Sequence, residues 1–199
     1  MHDVYLCPES DNYVPLSEIS DYLLAAILIS EDASFYGHRG FDWDEIENSF
    51  KTNIKRGRIA RGGSTITQQL VKNVFLSGEK SITRKIKEAL LAQKIEKSFS
   101  KNLIFEKYLN VIELGPGIYG VKRAAAHYFE KTPQQLNILE SAFLAYLIPN
   151  PKEYSKIIGK ERLTEFSRKR ILTICRKLNL FKKITDEQYQ TAENIINEF

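Results

Sequence analysis

The sequence predicts a mainly α-helical fold. Apolar residues recur at helical spacing, Ser, Thr and Pro signals separate those periodic stretches, and strand signals are sparse. Pro15 and Ser17 open a first helix whose Ile19, Leu23 and Ile27 fall at i, i+4 and i+8, and it fades near Asp32. A glycine-containing stretch, residues 36–40, follows, and residues 42–53 form a short amphipathic helix. Residues 55–63 are basic and glycine-rich. Ser64 or Thr65 caps a helix running to about Leu76, and Ser81 starts one that reaches roughly Phe99. Asn102 begins a segment ending at Gly115, Pro116 and Gly117, and residues 121–129 are helical. Thr132 and Pro133 place a cap and an N1 proline before a helix over residues 134–148, which Pro149, Asn150 and Pro151 break. Two more helices follow, at about 160–178 and, from Thr185 with Gln188 in capping-box spacing, at about 186–197.

Composition narrows the class. The 199 residues are 43% hydrophobic, 11% aromatic and 27% charged, which excludes a disordered or fibrous chain and suits one domain with a sizeable core. Apolar runs such as residues 23–29 and 142–148 are only seven residues each. A bilayer span needs roughly 20. The acidic N-terminus, without an early apolar block, gives no cleavable signal peptide. Cys7 and Cys175 read as two lone thiols, and neither has a Cys or His at zinc-ligand spacing. The net charge of +4 conceals a split: residues 1–50 hold eleven acidic residues against one Arg, a net of −10, while residues 51–199 hold 28 Lys/Arg against 14 Asp/Glu, a net of +14. Such a split indicates either pairing of the two parts or a basic surface for an anionic partner, whether nucleic acid, lipid or phosphate-bearing substrate.

Three constellations could carry chemistry. Glu31 continues the Leu23–Ile27 face, where a carboxylate is desolvated and its pKa raised toward general-base use; the plain alternative is a helix-end Glu facing water. Asp32 beside it projects elsewhere and stays more solvated. In residues 62–73, Ile66, Leu70, Val71, Val74 and Phe75 cover one broad side, while Thr65, Gln68, Gln69 and Lys72 share the other. Two glycines ahead of a helix N-terminus permit an anion to approach the backbone, so the run reads as a phosphate cradle or as a capped surface helix. It lacks the Gly-Lys-Ser/Thr of a P-loop. Third, Glu88 shares a helical face with Arg84, Lys85, Ala92 and Ile95, either as an anion-handling site or as a surface ion pair. His38 by itself reads as a hydrogen-bonded structural residue, and the basic stretch 55–61 lacks the aromatic platform of a single-strand nucleic-acid binder.

Taken in order, these segments resemble the peptidoglycan glycosyltransferases (glycosyltransferase family 51), over about residues 14–154. The first motif is Glu31, Asp32, Phe35, His38 and Gly40; the second is the 62–73 run; the third is Arg84, Lys85 and Glu88. The fourth runs from Tyr108, Leu109 and Asn110 through residues 115–120 to Ala124–Ala126, Tyr128 and Phe129, and the fifth from Leu139 to Pro149 and Pro151. The resemblance implies a lysozyme-like helical head with a smaller jaw lobe, about residues 41–80, flanking a groove, within a single domain over 1–199. It implies polymerisation of lipid II onto a growing glycan strand by inverting transfer, with Glu31 as general base. His38, Ser64, Thr65, Gln68, Gln69, Lys72, Asn73, Lys80, Arg84 and Lys85 would bind substrate, the cations receiving the lipid pyrophosphate. Glu88 would orient these groups or hold a divalent ion such as Mg or Mn; no organic cofactor is implied. Expected partners are lipid II, the glycan strand, the membrane surface and other cell-wall synthesis proteins, with no nucleic acid, at the extracytoplasmic face of the bacterial inner membrane.

Lys80 stands where the family commonly has Arg, and Lys122 and Arg123 replace a usual Glu-Ala pair. Ser155 and Lys156 depart from the end of the fifth motif. Relatives carry an N-terminal membrane helix, so the expectation is a catalytic domain separated from its anchor, monofunctional because no transpeptidase domain follows. Two other readings compete: a lysozyme-like lytic enzyme, and an inactive lipid II-binding scaffold.

Overall fold

The computed structural model describes residues 7–42, 47, 63–76, 81–157 and 163–198. Among them run the helices α1 (Asp21–Glu31), α2 (Ile66–Phe75), α3 (Ile82–Ser98), α4 (Lys101–Val111), α5 (Val121–Phe129), α6 (Ile138–Leu147), α7 (Pro151–Tyr154), α8 (Glu165–Leu180) and α9 (Asp186–Glu198). A two-stranded antiparallel hairpin, β1 (Glu113–Gly115) and β2 (Ile118–Tyr119), lies between α4 and α5. The mainly helical class is therefore as the sequence predicts. The proposed helix at 42–53, the basic stretch 55–61 and most of the 41–80 lobe lie outside the described residues. The chain forms two compact units, Met1–Ala33 with Leu109–Phe199, and Ser34–Tyr108.

In the first unit the core forms because α1 is apolar nearly all round. Leu23, Ala25, Ala26, Ile27 and Ile29 are buried, and the helix packs against both α6 and α8. Helix α6 buries Ala142, Leu144, Ala145 and Leu147, and α8, which also packs on α9, adds Ile171, Cys175 and Leu178. The alanines let helix axes approach closely while leucine and isoleucine fill the space between them. Cys7 is exposed and Cys175 buried, both unbridged, and burial pushes the Cys175 thiol up to about 12.

Two expected helices begin later than their sequence signals suggest, for one shared reason. Residues Leu16–Glu18 make only a 3-10 turn, Ile19 is extended, and α1 starts after Ser20. The Ser20 N–H donates to Pro133 O (3.1 Å) and its hydroxyl donates to Leu136 O (2.9 Å). The expected 134–148 helix is likewise split into a 3-10 turn at Pro133–Gln135 and α6, which restarts at an Asn137–Glu140 capping box. Ser20 thus satisfies carbonyls that a continuous helix would have kept for itself, and one tertiary contact interrupts both segments. Thr164, rather than a residue near 160, caps α8, and α7 adds a single turn after Asn150.

Asn110 secures the N-terminal segment of the same unit. Its Oδ1 accepts from the Val14 N–H (2.8 Å) and its Nδ2 donates to Val14 O (2.9 Å), so one buried amide satisfies both backbone groups of a distant residue. Gly120 must be glycine: its φ is +81°, and a Cβ there would lie 2.7 Å from Asn110 O. Lys122, unexpected in its motif, donates its ammonium to Asp11 O (2.6 Å), which gives the departure a tethering role. The substitution Asn110→Ala leaves the buried Val14 N–H and C=O unsatisfied, and is expected to lower stability by about 2–4 kcal/mol in urea unfolding.

Candidate functional site

Glu31 belongs to the first unit and the other described candidates to the second. Glu31 is the last residue of α1 and is half-buried. Asp32 corrects an expectation: it is buried, not solvated. The backbone leaves the helix there, at φ −162° and ψ 75°, with the Asp32 N–H donating to Leu28 O (2.9 Å), so a helical-wheel projection no longer places its side chain.

In the second unit, Thr65 starts α2 with a reciprocal capping box. Gln68 N–H donates to Thr65 Oγ1 (3.3 Å), and Thr65 N–H donates to Gln68 Oε1 (3.0 Å). The Thr65 hydroxyl itself donates to Gly40 O (2.9 Å), which binds the end of the first motif to the start of the second. Gly40 sits at φ +88°, a conformation that favours glycine. Thr65 and Gln68 are buried and committed to this cap, so the helix start is closed largely by its own side chains. Gln69 is half-buried and accepts from the Tyr108 hydroxyl (3.1 Å), Lys72 is exposed, and Asn73 is half-buried. Ile66, Leu70 and Val71 are buried as expected, but Phe75, assigned to that same side, is exposed at the last turn.

Helix α3 presents the charged group. Ser81 caps it by accepting from the Arg84 N–H (3.1 Å). Glu88 is only 2% exposed, and its Oε1 accepts a short hydrogen bond from Lys85 Nζ. The same ammonium donates to Ser64 Oγ (2.9 Å), just before α2. An ammonium has three N–H donors. Two are used among the described residues, and the Lys85 side chain remains 51% exposed. Arg84 Nε is buried without a hydrogen-bond partner among the described residues. His38 is half-buried, its ring edge-on to Phe35 at 6.1 Å. Lys80 lies outside the described residues.

A second buried chain escaped the sequence reading. The Thr67 hydroxyl donates to Glu96 Oε1 in a short hydrogen bond, Lys101 Nζ donates to the same oxygen (2.8 Å), and that ammonium stands 4.2 Å from the Phe35 ring centroid. The available signal was spacing, since Glu96 follows Glu88 by eight residues and Ala92 by four, on one stripe of α3.

Among the described residues no group of three or more His, Cys, Asp or Glu side chains could hold a metal ion. Glu88 offers one carboxylate, already bonded to an ammonium, which is a poor donor set for a divalent ion needing several oxygens. What the described residues bring together is a capped helix start and an ammonium held by Ser64 and Glu88.

The transglycosylase family model matches residues 3–178. The relative named biosynthetic peptidoglycan transglycosylase in Methylobacillus flagellatus is 45% identical over 159 residues, covering 77% of this chain and 69% of the relative. Its namesake in Herminiimonas arsenicoxydans is 46% identical over 142 residues (71% and 62% of the two chains), and that in Janthinobacterium sp. (strain Marseille) is 42% identical over 167 residues (84% and 71%). The chain thus spans about two thirds of the length of these relatives. It belongs to the transglycosylase family. Its activity is glycosyl transfer in peptidoglycan synthesis, work done at the cell envelope.

The capping box makes a direct prediction. Thr65→Val removes both the cap and the donation to Gly40, and is expected to cost about 1–2 kcal/mol of stability, whereas Thr65→Ser keeps both bonds and stays within a few tenths. Paired urea titrations of the two variants check this.

Proposed function

We propose that the chain polymerises lipid II into glycan strands by inverting transfer. The 4-hydroxyl of the acceptor sugar attacks C1 of the growing strand, a C–O bond to that hydroxyl oxygen forms, and the bond from C1 to the lipid pyrophosphate breaks. Attack from the side opposite the leaving group inverts the anomeric carbon. Glu31 accepts the hydroxyl proton, which an unaided sugar hydroxyl would release too reluctantly for attack. The pyrophosphate leaves with its bridging electrons and is received by Lys85, Arg84, Lys72 and Lys80. Ser64, Thr65, Gln68, Gln69, Asn73 and His38 complete and shape the binding surface. Glu88 orients Lys85, and no step is routed through a metal.

The observation that carries this reading is Lys85 itself, held from two sides by Ser64 and the buried Glu88 yet half-exposed. Preorganised charge of this kind stabilises a developing diphosphate without reorganising at the moment of reaction. Incubating the protein with labelled lipid II and sizing the products tests it: long strands support polymerisation, fragments from preformed glycan indicate a lytic enzyme, and bound but unchanged lipid II indicates a scaffold. Glu31→Gln is expected to lower polymerisation at least about a hundredfold, the general-base contribution, with melting near wild type. Retention of most turnover assigns the base elsewhere.

The membrane surface is part of the same proposal. No described helix is long and apolar enough to cross a membrane. Helix α3, however, exposes Ile82, Ile86 and Leu90 at 81%, 55% and 61%, one turn apart, with exposed Lys87, Lys94 and Lys97 on the same helix. Apolar side chains bordered by lysines suit the interface of an anionic bilayer, where lipid II is anchored. The Ile86→Asp, Leu90→Asp double variant is expected to lower sedimentation with phosphatidylglycerol-rich vesicles at least tenfold while leaving the melting temperature near wild type. Unchanged vesicle binding would remove this face from the proposal.

A further inference from the structure

We propose that Glu96 and Lys101 are positioning residues for glycosyl transfer. Their ion pair holds the Phe35–Gly40 segment in register with the first turn of α2, and thereby sets the arrangement of the second unit's part of the site.

Both charges are costly where they stand. The Glu96 side chain is 4% exposed and that of Lys101 19%. A buried ion pair typically contributes no more stability than well-packed apolar residues of similar volume. What it supplies is direction, because each charge needs particular partners at particular distances. Here those partners come from different segments of one unit. Glu96 Oε1 accepts from Lys101 Nζ at 2.8 Å and from the Thr67 hydroxyl, two residues past the Thr65 cap. Lys101 Nζ simultaneously faces the Phe35 ring, a cation–π contact at 4.2 Å to a fully buried aromatic.

Two further contacts run through the same place. A Cβ on Gly40 would sit 3.3 Å from Glu96 Cγ, so the Glu96 stem lies tight against that turn, and Thr65 donates its hydroxyl to Gly40 O. Tyr36 donates its hydroxyl to Asn102 Oδ1 (3.0 Å), next in sequence to Lys101. The segment carrying Phe35, His38 and Gly40 is therefore fastened at its aromatic, at its tyrosine and at its last glycine. Each fastening runs to the start of α2 or to the junction between α3 and α4. Neither Glu96 nor Lys101 has a place among the substrate-binding residues. They act through Thr67, Phe35 and Gly40, on the placement of Ser64, Thr65 and His38.

The inference rests on the proposed polymerase reading, and its test has an arm that needs no turnover. Thr67→Val removes only the hydroxyl that Glu96 accepts. Lys101→Met keeps length but not charge, Lys101→Arg keeps charge and the aromatic contact, and Ile104→Val serves as a buried control on α4. Lipid II polymerisation is measured well below each melting temperature. Thr67→Val and Lys101→Met are expected to lower kcat at least tenfold with KM within about twofold, Lys101→Arg to recover to within about threefold of wild type, and Ile104→Val to leave kcat unchanged. Amide hydrogen exchange supplies the independent arm. In Lys101→Met, residues 35–40 and 64–68 are expected to lose protection together, while α6 and α8 keep theirs. Wild-type kinetics in Lys101→Met, or equal kcat losses in it and the control, overturn the proposal, as does exchange that rises in one segment only. If the wild-type protein makes no polymer, the polymerase reading fails, and the exchange arm alone decides whether the pair sets this register.

Discussion

The organisation of the second unit depends on a helix whose polarity is reversed. On α3 the residues at four-residue steps, Arg84, Glu88, Ala92 and Glu96, form the sequestered stripe, while Ile82, Ile86 and Leu90 lie in water on roughly the opposite side. A helix of a globular protein normally does the opposite, burying its apolar stripe. The arrangement holds only because each buried charge has a partner: Glu88 has Lys85, and Glu96 has Lys101 and Thr67. An unpartnered carboxylate in either place would cost more than the unit could recover from its few buried apolar neighbours on this helix. The polar stripe is thus held by these bonds, and the exposed isoleucines and leucine face away from it.

That reversal links chemistry and location through one element. A charged face capable of receiving a diphosphate and an apolar face bordered by lysines cannot be optimised separately, since both are read from the same seventeen residues of α3. In the proposed function, a substrate carrying its pyrophosphate on a lipid calls on both at once, near the plane where headgroups meet water. On that proposal the two faces of this helix serve one task.

Much of this was legible in sequence because caps are local. Ser81, Thr65 as one of two candidate caps, and Thr185 with Gln188 are read from the sequence alone, and each makes its cap bonds, Thr65 adding a reciprocal box with Gln68. What was not legible involved partners far along the chain. Ser20 meets Leu136 across 116 positions, and this one hydroxyl helps break two segments whose local signals favour continuous helix. Glu96 meets Thr67 across 29 positions and was passed over, because a lone Glu among lysines on a helix ordinarily reads as a surface residue. Asp32 and Phe75 were misplaced for another reason. Each sits at a helix end, where the wheel that predicts burial loses its geometric basis. Glu88 is legible in the sequence as part of the Arg84–Lys85 cluster, but its burial and its bond to Lys85 come only with the folded helix.

On the proposed reading, the choice of lysine at position 85 bears on how charge is presented to the leaving group. A guanidinium would grip a diphosphate through two parallel bonds in a fixed plane, whereas an ammonium is a point charge with rotatable donors. Among the described residues Lys85 gives two of those donors, to Ser64 and Glu88. The transition state, with negative charge growing on the leaving oxygen, gains most from a fixed positive charge nearby. In that proposal Glu88 acts through position: its buried carboxylate and the Ser64 hydroxyl hold the ammonium from two sides, so the charge is already fixed before a leaving group arrives.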